Sequence, residues 1–114
     1  MFDFEKLTVY EKAKEFHLRN ENLLKKRGIP VSSRQQLHRA SLSVILNLAE
    51  GSGRFTKPDR RNFYIISRSS VFECIALLDI LNSTGFVDVD LHKKQYSLGE
   101  ELSRIILAMI KGLN

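Results

Sequence analysis

Apolar residues recur at three-to-four spacing along almost the whole chain, with none of the strict alternation that marks a half-buried strand. In residues 5–27 the recurring positions are Leu7, Tyr10, Ala13, Phe16 or His17, and Leu23 with Leu24, which predicts a first helix. Lys25-Lys26-Arg27 falls in its expected last turn, where cations oppose the negative end of the helix dipole, and Gly28 closes it. Ile29-Pro30-Val31 reads as an extended connector, because proline pushes the preceding residue out of helical geometry. Ser32 or Ser33 is the expected N-cap of a second helix, with Gln35 or Gln36 completing a capping box, and Gly51-Ser-Gly is its expected end.

That second helix carries three different faces. Leu37, Ser41, Val44 and Leu48 form an inward stripe, and Leu42, Leu46 and Ala49 lie on the opposite side. Between them Ser43, Asn47, Glu50 and Arg54 stack into a polar ridge at four, three and four spacing. Thr56, followed by Pro58 and Asp59, then signals the start of a third helix over about 57–83. Its expected inward stripe is Phe63, Ile66, Ser70, Glu73 or Cys74, Leu77 and Leu81, and its reverse face holds Ile65, Phe72, Ile75 and Ala76. Asn47, Glu50, Ser70 and Glu73 read as a structural set, with the two glutamates pairing to Arg54, Asn47 or Arg61 and fixing the register of the central helices. After Gly85, Asp88 or Asp90 caps a fourth helix whose Leu91, Gln95, Leu98, Leu102, Ile105 and Met109 form a bundle seam. Four such helices joined by short loops predict an all-α, up-down-up-down antiparallel four-helix bundle, one domain over residues 1–114.

Composition changes this picture in two places. No apolar run approaches the roughly 18 residues that cross a bilayer, so no membrane partner is expected. The single cysteine fits a reducing compartment and the mixed-charge first residues do not resemble a signal peptide, so the expected location is the cytoplasm. Charge matters more. The net charge is +5, and ten Lys or Arg against Glu50 and Asp59 lie between Lys25 and Arg68. A positive field so concentrated attracts phosphate polymers or an acidic protein partner. The expected phosphate contacts are Lys25, Lys26, Arg27, Arg34, Arg39, Arg54, Lys57, Arg60, Arg61 and Arg68. The reverse-face residues Leu42, Leu46, Ala49, Ile65, Phe72, Ile75 and Ala76 would leave a sizeable apolar area in water, so self-association through the central helices is expected.

Candidate chemistry is sparse. His17, His38 and His92 fall on three different helices with no His-x-x-x-His pair or Glu-x-x-His motif, so neither a metal nor another cofactor is expected. Cys74 has no base near it in sequence and reads as a small buried hydrophobe. Gly51-Ser-Gly-Arg-Phe-Thr-Lys57 lacks the order of a P-loop, although its amides and cations suit phosphate contact. Arg34 and His38 are closer together than the Arg and His catalytic pair of some small helical ribonucleases. No enzyme is expected.

The segment Ser41-x-Ser-Val-x-x-Asn-Leu-Ala-Glu-Gly-Ser-Gly-Arg54, with Phe63 and Ser70-x-x-Glu73, resembles the signature of the bacterial 23S rRNA intervening-sequence proteins. Phe4-x-x-Leu7-x-Val9-Tyr10-x-x-Ala13, Ile29-Pro30 and Leu37–Arg39 are similar to the same family. Ser69 departs from it, standing where the family usually has glycine. The resemblance implies a small helical bundle. Through the related accessory protein of diversity-generating retroelements, it also implies a homopentamer whose partners are nucleic acid and a reverse transcriptase.

Overall fold

The computed structural model describes residues 1–114, which form four α-helices and no strand. A 3-10 turn, Asp3–Lys6, precedes α1 (Thr8–Leu23), α2 (Val31–Ser52), α3 (Lys57–Ser83) and α4 (Val89–Lys111). Each helix packs on its neighbours in sequence and α1 closes the ring against α4, while the diagonal pairs make no close backbone approach. Connections at 24–30, 53–56 and 84–88 are short enough to reverse the chain each time. The result is the up-down-up-down four-helix bundle, 44 × 22 × 21 Å.

Local chemistry accounts for most of the boundaries. Thr56 Oγ1 accepts from the Asp59 amide at 3.2 Å and Asp88 Oδ1 from the Leu91 amide at 2.8 Å, so α3 and α4 each begin on a side-chain cap. Gly85 takes φ of +88°, the left-handed geometry that lets the chain leave the end of α3, whereas Gly28, at +89°, does not close α1 but ends the turn that follows it.

Three expectations shift. Helix α1 stops at Leu23, and Lys25-Lys26-Arg27 forms an exposed turn tightened by Lys25 N–H to Asn22 O and Lys26 N–H to Leu23 O. Leu23, Leu24 and Ile29 are all buried, so the chain must reverse between them. Helix α2 starts at Val31 with extended Pro30 as its N-cap, and Ser32 Oγ is engaged by Gln36 Nε2 instead of capping the amides. Helix α3 is rotated by one position from the expected stripe: Tyr64, Ser67, Val71, Cys74, Leu78 and Leu81 face inward. Its apolar residues fit two neighbouring stripes equally well, and packing chooses between them. A methyl at Gly51 would lie 2.6 Å from Tyr64 Cε1, so the absence of a side chain on α2 gives the Tyr64 ring its place. Gly51 is therefore a contact point inside α2, and Gly53 is the C-cap.

The core is built on Phe16, Leu37, Val44, Leu48, Leu78 and Leu102. Within it lies a satisfied polar cluster. Gln95 Nε2 donates to Phe16 O at 3.0 Å and to Asn20 Oδ1 at 2.9 Å, and Asn20 Nδ2 donates to Ser41 Oγ at 3.1 Å. Ser67 Oγ separately donates to Val44 O at 2.8 Å, clamping α3 on α2.

Candidate nucleic-acid interface

The fold divides the ten expected phosphate contacts between two ends. Helix α2 runs for 22 residues, about 30 Å at the usual rise per residue. Lys25, Lys26, Arg27 and Arg34 lie at its start, whereas Arg54, Lys57, Arg60 and Arg61 lie past its end. Arg39 and Arg68 sit between them along α2 and α3.

Their availability differs as much as their position. The side chains of Lys25, Arg27 and Lys57 are exposed and make no hydrogen bond or ion pair within the chain. Lys26 Nζ donates to Phe86 O at 3.0 Å, and Arg34 Nη2 to Lys26 O at 3.1 Å, so these two brace the turn. Arg61 and Arg68 are half-buried and anchor the C-terminal part of the chain through Leu113 O at 2.9 Å and Ser103 O at 3.1 Å. Both are structural first. At the α2–α3 corner, Arg60 Nε donates to Arg54 O at 2.6 Å, and the Arg54 guanidinium lies 4.5 Å from the centre of the Phe63 ring. Between them Phe55 is fully exposed, at 101%. No periodicity marks Phe55, a loop residue; the signal for it in the sequence is an aromatic set between Arg54 and Lys57.

The polar ridge tightens the seam between α2 and α3. Ser43 Oγ meets Ser70 Oγ at 2.8 Å, and Asn47 Nδ2 donates to both Ser43 O and Ser43 Oγ. Glu50 pairs with Arg54 at 3.6 Å, but the two are four residues apart at the end of α2 and exposed, so the pair does not set the register of α2 against α3. Glu73 does not reach Arg54, Asn47 or Arg61; it pairs across the seam with Arg39 at 3.7 Å, in water, because the rotation of α3 brings it to the surface.

Of the expected interface residues, Leu46, Ile65, Phe72 and Ala76 are exposed, and Leu42, Ala49 and Ile75 are half-buried. Ile75 packs partly on the core, its Cδ1 lying where a methyl on Gly99 would stand. Two grooves follow Phe72 along the α3–α4 seam. One, of about 430 Å³, is lined by Phe72, Ile75, Tyr96 and Gly99 among others, and the second, of about 340 Å³, by Ile65, Phe72, Leu107 and Ile110 with Arg68 and Ser69. Helix α4 contributes Tyr96, Leu107 and Ile110 to these grooves from positions outside its own core seam, where its spacing alone gives no sign of them.

Cys74 is fully buried, and burial with the neighbouring Glu73 charge pushes its thiol up to about 12, so it stays protonated and unreactive. The histidines behave differently from the sequence expectation. His17 and His38 come together across α1 and α2 with ring centres 5.9 Å apart, and Glu21 lies between them. Burial holds the His17 imidazole below its ordinary pKa; Glu21 opposes that and His38 adds to it.

The family profile described as 23S rRNA-intervening sequence protein matches residues 5–108. The chain belongs to that family. A crystal structure from Bacteroides thetaiotaomicron, of a protein with unknown function from the S23 ribosomal protein family, superposes with a TM-score of 0.86. At 21% identity it covers 91% of this chain and 99% of its own, a likeness in fold. Curated proteins give no match. Neither description names an enzymatic activity. In this member of the 23S rRNA-intervening sequence proteins, Ser43, Asn47, Gly51 and Ser70 all serve contact within or between α2 and α3. No helix is long and apolar enough to cross a membrane.

Proposed function

We propose that this family member is a non-catalytic homo-oligomer, a pentamer as the resemblance implies, that binds RNA or DNA backbone through its basic surface in the cytoplasm. The observation that carries the reading is the α2–α3 corner, where fully exposed Phe55 stands among Arg54, Lys57 and Arg60. Cations neutralise phosphates without reading sequence, and an exposed ring stacks on any base, worth about 1–3 kcal/mol per base. A single corner of this size binds weakly. Several copies on one strand would multiply it by raising the effective concentration of the remaining sites. The grooves along Ile65 and Phe72 support that assembly.

The test is binding of single-stranded RNA across a salt series. Arg54 and Lys57 are better probes than Arg61, whose bond to Leu113 O makes its loss a folding defect. Arg54→Glu with Lys57→Glu should weaken binding about tenfold or more and flatten the salt slope by roughly 1–2. Unchanged affinity and slope would contradict the reading. The same apolar grooves favour a second reading, a scaffold docking an acidic or polymerase-like partner such as a reverse transcriptase. An RNA homopolymer should displace the bound ligand under the first reading and leave it in place under the second.

A further inference from the structure

We infer that His17, Glu21 and His38 form a binding site for a single divalent transition-metal ion of the zinc class, bridging α1 and α2. One ligand atom from each side chain lies within 4.8 Å of the others. His38 Nδ1 is 2.6 Å and His17 Nε2 3.9 Å from the same oxygen, Glu21 Oε1. A tetrahedral zinc ion holds nitrogen and oxygen ligands at about 2.0–2.1 Å, hence about 3.3 Å from one another. The two separations bracket that value. His38 and Glu21 are exposed enough, at 52% and 35% of their side-chain surface, to adjust without moving the core.

A lone Glu21–His38 hydrogen bond would account for His38 and leave His17 Nε2, 3.9 Å from Glu21 Oε1, without a partner. His17 is 14% exposed and its Nδ1 is fixed 3.0 Å from Ser41 Oγ, which in turn is tied through Asn20 to Gln95. That chain of buried hydrogen bonds orients the ring and leaves Nε2 free toward Glu21, the outer-shell arrangement that metal-binding imidazoles use. Two imidazoles and one carboxylate suit zinc and its neighbours better than magnesium or calcium, which prefer oxygen ligands alone. Three protein ligands also leave a coordination position for water or an anion. Glu21 and His38 themselves line a cleft of about 390 Å³ with Lys25 and Arg34, whose charges would draw an anion to that position. The inference does not depend on nucleic-acid binding at the opposite end of the bundle.

The experiment uses the untagged full chain, stripped with chelator, titrated with zinc by calorimetry and with cobalt(II) by visible absorption. One ion per chain, with the intense bands of four-coordinate cobalt, is the expected result. His38→Gln and Glu21→Gln, both at surface positions, should weaken zinc binding more than about 100-fold, beyond the usual effect of losing an outer-shell partner. His92→Gln should leave it unchanged, since His92 faces Asp79 at 3.7 Å elsewhere on the bundle. Zinc should also raise the unfolding midpoint of the parent chain and not of His38→Gln. Absence of zinc heat and cobalt bands at micromolar protein would overturn the assignment. So would zinc binding retained by both Gln variants.

Discussion

Gly51 shows how much one missing side chain decides. The sequence marks it as a helix end, yet it is a buried helical residue under Tyr64, and a methyl there would meet Tyr64 Cε1 at 2.6 Å, Cδ1 at 2.9 Å and Phe63 Cβ at 3.0 Å. Relieving that clash means moving a buried ring and a neighbouring backbone, at about 1–3 kcal/mol. The better helix propensity of alanine returns about 1 kcal/mol. Gly51→Ala should therefore lower stability by roughly 0–2 kcal/mol in urea unfolding. Gly99→Ala is the contrasting case, because its closest atom is the far end of the half-buried Ile75 side chain, at 2.5 Å, which can swing aside. That variant should be neutral or slightly more stable. Cys74 provides a second check at this scale. With its thiol at about 12, native protein at pH 8 should resist alkylation, and labelling should track global unfolding in denaturant. Fast labelling of the native chain would mean that the centre of α3 is open to water.

The helices were legible where a cap or a closing glycine speaks for itself. Thr56 and Asp88 do what their positions announce, and Thr56→Ala should cost about 0.5–2 kcal/mol by removing the bond to the Asp59 amide. The seam of α4 holds over Gln95, Leu98 and Leu102, then drifts from Ile105 to Ile106 because a helical turn is 3.6 residues and not 3.5. The inward face of α3 was less legible. With apolar residues on several sides, its pattern fits two stripes, and only Tyr64 seated over Gly51 and Ser67 bonded to Val44 O choose between them. The candidate sites were legible in part. Basic residues could be named, but their division between two ends of α2 follows from the chain reversals. His17 and His38 could not be paired at all, since neither sits in a local motif and their meeting depends on the register of α1 against α2.

At the scale of the whole molecule, apolar surface and positive charge pose one question together. Phe72 is 57% exposed and Leu46 52% exposed, and the grooves beside Phe72 continue onto α4 through Tyr96, Leu107 and Ile110. A monomer would carry all of this in water. Copies packed on these faces would hide it and bring several basic corners onto one particle, which is how weak phosphate contacts gain strength. Phe72→Glu places a charge in the middle of that surface without touching the core, so it should dissociate the proposed assembly while leaving the helical signal and unfolding of the separated chain intact. The direct measurement is the solution mass of the untagged protein by sedimentation velocity at micromolar concentration, beside that of Phe72→Glu. A parent particle that is a fixed multiple of 13.1 kDa, pentameric as proposed, and a 13.1 kDa variant are the predicted results. A parent chain sedimenting as a single 13.1 kDa species would contradict the account.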